Sequence, residues 1–140
     1  MTTFALDTNI VSYILQNRDD VINRLSSETK NGNNVVIPPI VYYEIRRGIL
    51  AANALAKAKL FDELIAELEI DSINISMLDI AASEYARLKK AGQPIADADL
   101  LIGAYCIEKG YTLVTNNEKH FSAIDGLVFV NWVGTTVAPL

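Results

Sequence analysis

Residues 3–15 read TFALDTNIVSYIL. A short apolar run, Phe4-Ala5-Leu6, stops at Asp7-Thr8-Asn9, and an apolar helical pattern starts at once. This unit decides the fold, because the chain repeats it. The strand candidates Phe4–Leu6, Val35–Ile37, Ile70–Ile73, Thr112–Val114 and Val128–Val130 are short and apolar, and helical patterns lie between them. Strands that are apolar throughout and alternate with helices mark a parallel sheet covered on both faces. The expectation is a three-layer α/β/α domain with a central parallel sheet of about five strands. Ligands of such sheets bind outside the carboxyl ends of the strands, near a topological switch point.

The helical segments carry their own punctuation. Ile10–Gln16 and Asp20–Lys30 predict two helices, and NGNN at 31–34 predicts a loop. Pro39 suits the first turn of a third helix. NALAKAKLFDELIAELE, from Asn53, is rich in helix formers with apolar spacing. SMLDIAASEYARLKKAG opens on Ser76 with Asp79 three residues on, a start like a capping box, and closes at Gly92. IADADLLIGAYCIEKG predicts another helix, ended by Gly110.

Bulk properties bound the function. The 140 residues suit one domain, 1–140, and 51% hydrophobic with 21% charged residues suits one core. No apolar run nears the ~20 residues of a membrane span. The N-terminus has no basic n-region or cleavage site, so a cytoplasmic protein is expected. The single cysteine, Cys106, excludes an internal disulfide and lies in an apolar helical pattern, as a buried thiol would. A net charge of −5 speaks against gripping nucleic acid by bulk charge. It leaves nucleic-acid chemistry open, because cations bound to a carboxylate cluster restore charge locally.

Several polar residues break the apolar pattern, and each has two readings. Asp7 follows the first strand, where it serves as a helix N-cap, as a site residue, or as both. Glu44 lies on the face of its helix marked by Ile40, Val41, Ile45, Gly48 and Ile49. A carboxylate there needs a partner. A salt bridge to Arg46, Arg47 or a distant lysine supplies one; a site supplies another. Asp97 and Asp99 open the next helix two positions apart, so they diverge. Asp97 fits the cap and Asp99 the site. Thr115-Asn116-Asn117 ends the 112–114 strand and reads as an ordinary turn or as a further site segment. His120, the one histidine, reads as packing beside Phe121 or lying at the surface. Three carboxylates at one sheet edge would repel, and a hard cation between them removes that cost. Oxygen ligands without Cys/His spacing favour Mg²⁺ or Mn²⁺ over zinc.

With these residues in view, the chain resembles a PIN domain, and more narrowly a VapC-type toxin ribonuclease of a type II toxin–antitoxin pair. The resemblance runs through FALDTNIVSYIL, VVIPPIVYYEIRRGI, GQPIADADLLIGAYCIEKGYTLVTNNEKHF and GLVFVNW, which together span essentially the whole chain. It implies a Mg²⁺- or Mn²⁺-dependent endoribonuclease with acidic residues Asp7, Glu44 and Asp99. The family's fourth polar position falls on Asn117, whose amide brings no negative charge and weakens the case for a second metal. Thr115 matches a hydroxyl that orients Asp7, and Asp97 matches an outer ligand. Candidates for holding the RNA backbone are Arg46, Arg47, Lys89 and Lys90, with a solvated helix face as the other reading. The resemblance also implies a homodimer and a VapB-like antitoxin, for which residues 40–61, IVYYEIRRGILAANALAKAKLF, offer a tyrosine-bearing apolar surface. The competing function is a catalytically degenerate PIN module that only binds a partner. A metal-dependent phosphatase or DNA nuclease on the same scaffold is a third class.

Overall fold

The computed structural model describes residues 1–135. The expected single domain runs to residue 140, and its last stretch, 136–140, lies outside the described residues. Four strands, β1 (Thr3–Leu6), β2 (Asn34–Val36), β3 (Thr112–Val114) and β4 (Phe129–Val130), form one parallel sheet in the order β2-β1-β3-β4. Seven helices connect and flank them: α1 (Thr8–Leu15), α2 (Asp19–Lys30), α3 (Pro39–Ala52), α4 (Leu55–Ala66), α5 (Ile75–Lys90), α6 (Asp97–Lys109) and the single turn α7 (Glu118–Phe121).

The sheet has four strands where five were expected. The candidate at Ile70–Ile73 does not form one. The chain makes a single parallel bridge, Val36 to Glu69, and Ile37 N–H donates to the Glu69 carbonyl at 3.2 Å. It then leaves the edge of β2. Asp71 accepts from Tyr105 Oη at 3.1 Å and lies 3.7 Å from Lys109 Nζ, both on α6. Ile70 and Ile73 stay partly exposed, so this stretch lacks the burial that a further strand of the sheet would have.

Helix starts differ from the sequence reading in two places. The N-cap of α5 is Asn74, whose side chain accepts from Met77 N–H at 2.9 Å. Ser76 lies inside the helix, where its hydroxyl donates to Glu108 at 2.8 Å. Asp97 does not cap α6. That position is Ala96, which offers no side-chain hydrogen bond, and Asp97 is the first helical residue. Gly110 ends α6 at φ +70°, a conformation that favours glycine.

The core forms where the sheet meets its helices. Ala5, Leu6, Val114 and Leu113 from β1 and β3 are fully buried, as are Ile10 and Val11 of α1, Ile102 of α6 and Trp132 after β4. On α3 the buried stripe is Val41, Ile45 and Ile49. Gly48, read above as part of that face, is exposed, and no atom stands within 4 Å of where its Cβ would be. Cys106 is buried, as expected. Among the described residues no helix is long and apolar enough to cross a membrane.

Strand order positions the site. After β1 the chain adds β2 on one side, then places β3 on the other, so the sequence of strands reverses between β1 and β3. All strands are parallel, so their carboxyl ends share one edge. Asp7 and Thr115 follow the two central strands there.

Candidate active site

The sheet ladder carries on one residue past each central strand. Asp7 N–H donates to the Val114 carbonyl at 2.9 Å, and Thr115 N–H donates to the Val130 carbonyl at 3.0 Å. The two side chains therefore meet. Thr115 Oγ1 donates to Asp7 Oδ2 at 2.7 Å, and Thr8 N–H donates to Oδ1 at 2.8 Å. Asp7 is only 5% exposed and Thr115 is fully buried. Asp7 thus caps α1 and also sits at the carboxyl edge. The two readings of it are compatible.

Glu44 reaches the same edge from α3. Thr8 Oγ1 donates to Glu44 Oε1 at 2.7 Å, and Arg47 Nη2 lies 3.6 Å from Oε2. Glu44 is thus held by α1 and faces an exposed arginine one turn away. Asp99, in the first turn of α6, completes the group. Its Oδ2 lies 3.2 Å from His120 Nδ1. Asn117 N–H donates to Thr115 Oγ1 at 2.9 Å, and its amide Nδ2 lies 2.9 Å from the same His120 nitrogen. A hydrogen on Nδ1 serves Asp99; without it, Nδ1 accepts from Asn117.

Electrostatics single out Asp7. Burial pushes its carboxyl up to about 6; the Thr115 and Thr8 hydrogen bonds pull it back, and the negative charges of Asp99 and Glu44 add to the rise. Among the described residues no lysine or arginine pairs with Asp7 or Asp99. Asp7 and Asp99 thus carry like charge without a basic partner, while Glu44 has Arg47 at 3.6 Å. Burial, with the Asp7 charge adding, also pushes the Cys106 thiol up, which leaves it protonated and unreactive.

Asp97 departs from its reading, and His120 goes beyond its own. Asp97 opens α6 as its first helical residue instead of capping it. It is exposed and lines a separate hollow on the α5–α6 face with Ala81, Tyr85 and Leu100. His120 lies at the surface, as one of its two readings had it, and from there it also bridges Asp99 and Asn117. Sequence spacing missed it. Its one signal was the i, i+3 step from Asn117, which on a helical turn brings the two side chains together.

The donor set can be tested against a cation. Among the described residues no three His, Cys, Asp or Glu side chains converge closely enough to enclose an ion unaided. Asp7 and Asp99 offer carboxylate oxygens of the kind a hard cation such as Mg²⁺ or Mn²⁺ takes, one or two at a time with several waters.

The PIN domain model matches residues 4–127. The chain belongs to the PIN domain family. It is 32% identical over 137 residues to Ribonuclease VapC2 of Rickettsia felis, covering 92% of this chain and 97% of that one. It is 28% identical over 134 residues to Ribonuclease VapC1 of Haemophilus influenzae, with the same coverage. The solved VapBC2 of Rickettsia felis, bound to a DNA fragment from its promoter, superposes with a TM-score of 0.87 at 30% identity, covering 94% of this chain and 99% of that one. The PIN fold expected from the sequence therefore holds along nearly the whole chain.

Proposed function

We propose that the protein is a Mg²⁺- or Mn²⁺-dependent endoribonuclease, the toxin of a toxin–antitoxin pair. The observation that carries this reading is Asp7: a buried carboxylate at the switch point, flanked by Glu44 and Asp99, with neutral hydrogen-bond donors on both of its oxygens. Relatives named as VapC ribonucleases over nearly their full length support the substrate class.

Asp7 and Asp99 would hold the cation, with Glu44 beside them. When bound, the ion supplies positive charge against the phosphodiester and lowers the pKa of a coordinated water. The other residues act by placement. Thr115 and Thr8 N–H fix the plane of the Asp7 carboxylate, and the Thr8 hydroxyl fixes Glu44. Arg47 is the better candidate for an RNA phosphate, since its side chain is 58% exposed beside Glu44. Arg46 is engaged with Asp62 at 2.7 Å and covers Tyr42 and Phe61. Lys89 stacks over Tyr85, and neither Lys89 nor Lys90 contacts the site residues in any hydrogen bond or ion pair among the described residues.

A VapB-like antitoxin and a homodimer form part of the proposal. Tyr43, Leu50, Leu55 and Leu60 on α3 and α4 are exposed and form an apolar surface for the antitoxin, whereas Val41, Ile45, Ile49 and Phe61 of the same stretch belong to the core. The solved relative is a VapBC2 structure, which supports a VapB-like partner. The alternative, a degenerate module that only binds a partner, draws on Asn117, whose amide is turned to His120.

The test uses the purified chain on cellular RNA. Cleavage should stop in EDTA and return with Mg²⁺ or Mn²⁺, and Asp7→Asn should abolish it. Cleavage that persists without a divalent ion, or in folded Asp7→Asn, would overturn the mechanism. Tight antitoxin binding with no cleavage of RNA would favour the degenerate module, and cleavage of DNA or small phosphoesters in place of RNA would favour the third class.

A further inference from the structure

Beside the carboxylates lies a hollow of about 490 Å³, walled by Gln93, Pro94 and Ile95 ahead of α6 and by Lys119, His120, Ser122 and Ala123 around α7. Its volume falls within the ~300–1,000 Å³ of small-ligand sites. None of the site chemistry above uses it. Its connection to that chemistry is His120. The imidazole lines the hollow and is tied at Nδ1 to Asp99, at 3.2 Å, and to Asn117, at 2.9 Å. His120 thus touches both the hollow and Asp99.

The wall is built from the groups that read an unpaired base. Imidazole and proline offer flat faces, Ile95 offers an apolar floor, Gln93 offers an amide, and the Ser122 hydroxyl, which donates to the Lys119 carbonyl at 3.0 Å, keeps its oxygen to accept. Lys119 adds a cation at the rim, in a chain of net charge −5. The wall is also braced. Arg87 on α5 donates to the Ala123 carbonyl at 2.6 Å and pairs with Glu84 at 2.7 Å, and Asp125 N–H donates to the same Glu84 at 3.1 Å. A hollow one side chain from the reacting centre, with a fixed wall, can hold a group whose phosphate lies at that centre.

We propose that this hollow receives the nucleobase next to the scissile phosphate, stacked on His120 and read at its edge by Gln93 and Ser122. It would therefore set which RNA sequence is cut. The proposal rests on the ribonuclease reading and names the base-recognition part of that site.

The test separates base from phosphate. Isotope-labelled full chain, treated with EDTA, is titrated with each of the four nucleoside 5′-monophosphates and with ribose 5-phosphate at millimolar concentration, followed by amide NMR. Base-dependent shifts at Gln93, Ile95, Lys119 and Ser122 are expected, with affinities differing several-fold among the bases. Ser122→Trp, at an exposed position, should fill the hollow and weaken the preferred nucleotide by roughly tenfold, as displacing one stacked base does. With Mg²⁺ present the same variant should still cut RNA but at redistributed sites. Equal shifts from ribose 5-phosphate, shifts confined to other residues, or unchanged affinity and cleavage sites in Ser122→Trp overturn the proposal. If that variant does not fold, Gln93→Ala decides: a flattened base preference supports the pocket and an unchanged one overturns it. Wild-type protein that cuts RNA without base-dependent shifts overturns the pocket alone. Protein that cuts no RNA in Mg²⁺ overturns the ribonuclease reading itself.

Discussion

Asp7→Asn should stabilise the metal-free protein while removing its activity. The Asp7 carboxyl stands at about 6 in the folded chain against 3.8 for an ordinary aspartate, chiefly because it is buried. A rise of that size corresponds to roughly 3 kcal/mol of destabilisation once the group is ionised, at about 1.36 kcal/mol per unit. The direction is fixed by linkage. The folded state holds its proton to higher pH than the unfolded state does. The favourable contribution of protonated Asp7 is therefore complete below about pH 4, is lost as pH rises through about 6, and changes little above that. Asparagine carries no charge at any pH. Its oxygen can still accept from Thr8 N–H, and its amide can donate to Thr115 Oγ1 in place of the bond Thr115 now donates. The asparagine variant should thus be more stable than wild type at pH 7.5 in EDTA by about 1–3 kcal/mol, roughly 4–10 °C in Tm. The gap should close toward pH 4. Asp20 and Glu84, whose carboxyls are held low, act in the opposite sense as pH falls, but they are common to both proteins and cancel in the difference. Thermal melts of both proteins from pH 4 to pH 8 measure it. A variant that is less stable at every pH, or a gap that does not depend on pH, would refute the argument that a buried, unneutralised charge sits at Asp7.

Mg²⁺ should raise the melting temperature of wild type at pH 7.5 and leave Asp7→Asn nearly unmoved, since an ion that binds only the folded state stabilises by about 2.7 kcal/mol at a hundredfold excess over Kd. Thr115→Val should destabilise the chain by about 1–3 kcal/mol, because it strips a buried hydroxyl that serves both Asp7 and Asn117, and it should weaken Mn²⁺ binding measured by titration, with Thr115→Ser restoring both. Arg87→Ala should lower the melting temperature slightly and speed hydrogen exchange at residues 122–126, since Arg87 fastens that loop to α5 through Glu84, Asp125 and the Ala123 carbonyl. Leu50→Glu or Leu55→Glu, at strongly exposed positions, should leave stability within about 0.5 kcal/mol of wild type yet weaken antitoxin binding in calorimetry.

The fold was legible because its signals are local. Apolar runs such as Phe4-Ala5-Leu6 and Leu113-Val114 announce buried strands, and Pro39 and Gly110 punctuate their helices as expected. The fifth strand was misread because the apolar residues of Ile70–Ile73 do not record that backbone pairing with β2 stops after the single bridge at Glu69. Helix starts failed for a related reason. Ser76 and Asn74 are both good caps; Asn74 takes that place, and the Ser76 hydroxyl turns to Glu108 of α6. The carboxylates of the candidate site were legible as violations of pattern, each a charge where an apolar residue belonged. Thr8 was invisible as a positioning residue, since a threonine in a first turn violates nothing. His120 looked ordinary for the same reason, and only the packing of α7 against α6 brings it to Asp99.

Asp7 shows why one carboxylate can both cap a helix and prepare a site. An ionised carboxylate has about four acceptor positions on two oxygens. The cap occupies one position on Oδ1 and Thr115 occupies one on Oδ2, so each oxygen keeps a free lone pair. Both donors are neutral. They fix the orientation of the group and lower its pKa somewhat, but neither cancels its charge. A lysine or arginine in either place would have held Asp7 as firmly and satisfied it electrostatically, which would have left little for a divalent ion to gain. Burial beside Glu44 and Asp99 works in the other direction, by making the negative charge costly until a cation arrives. The cap therefore supplies rigidity without neutralisation, and the destabilisation predicted for the metal-free chain is the same free energy that would favour binding the ion.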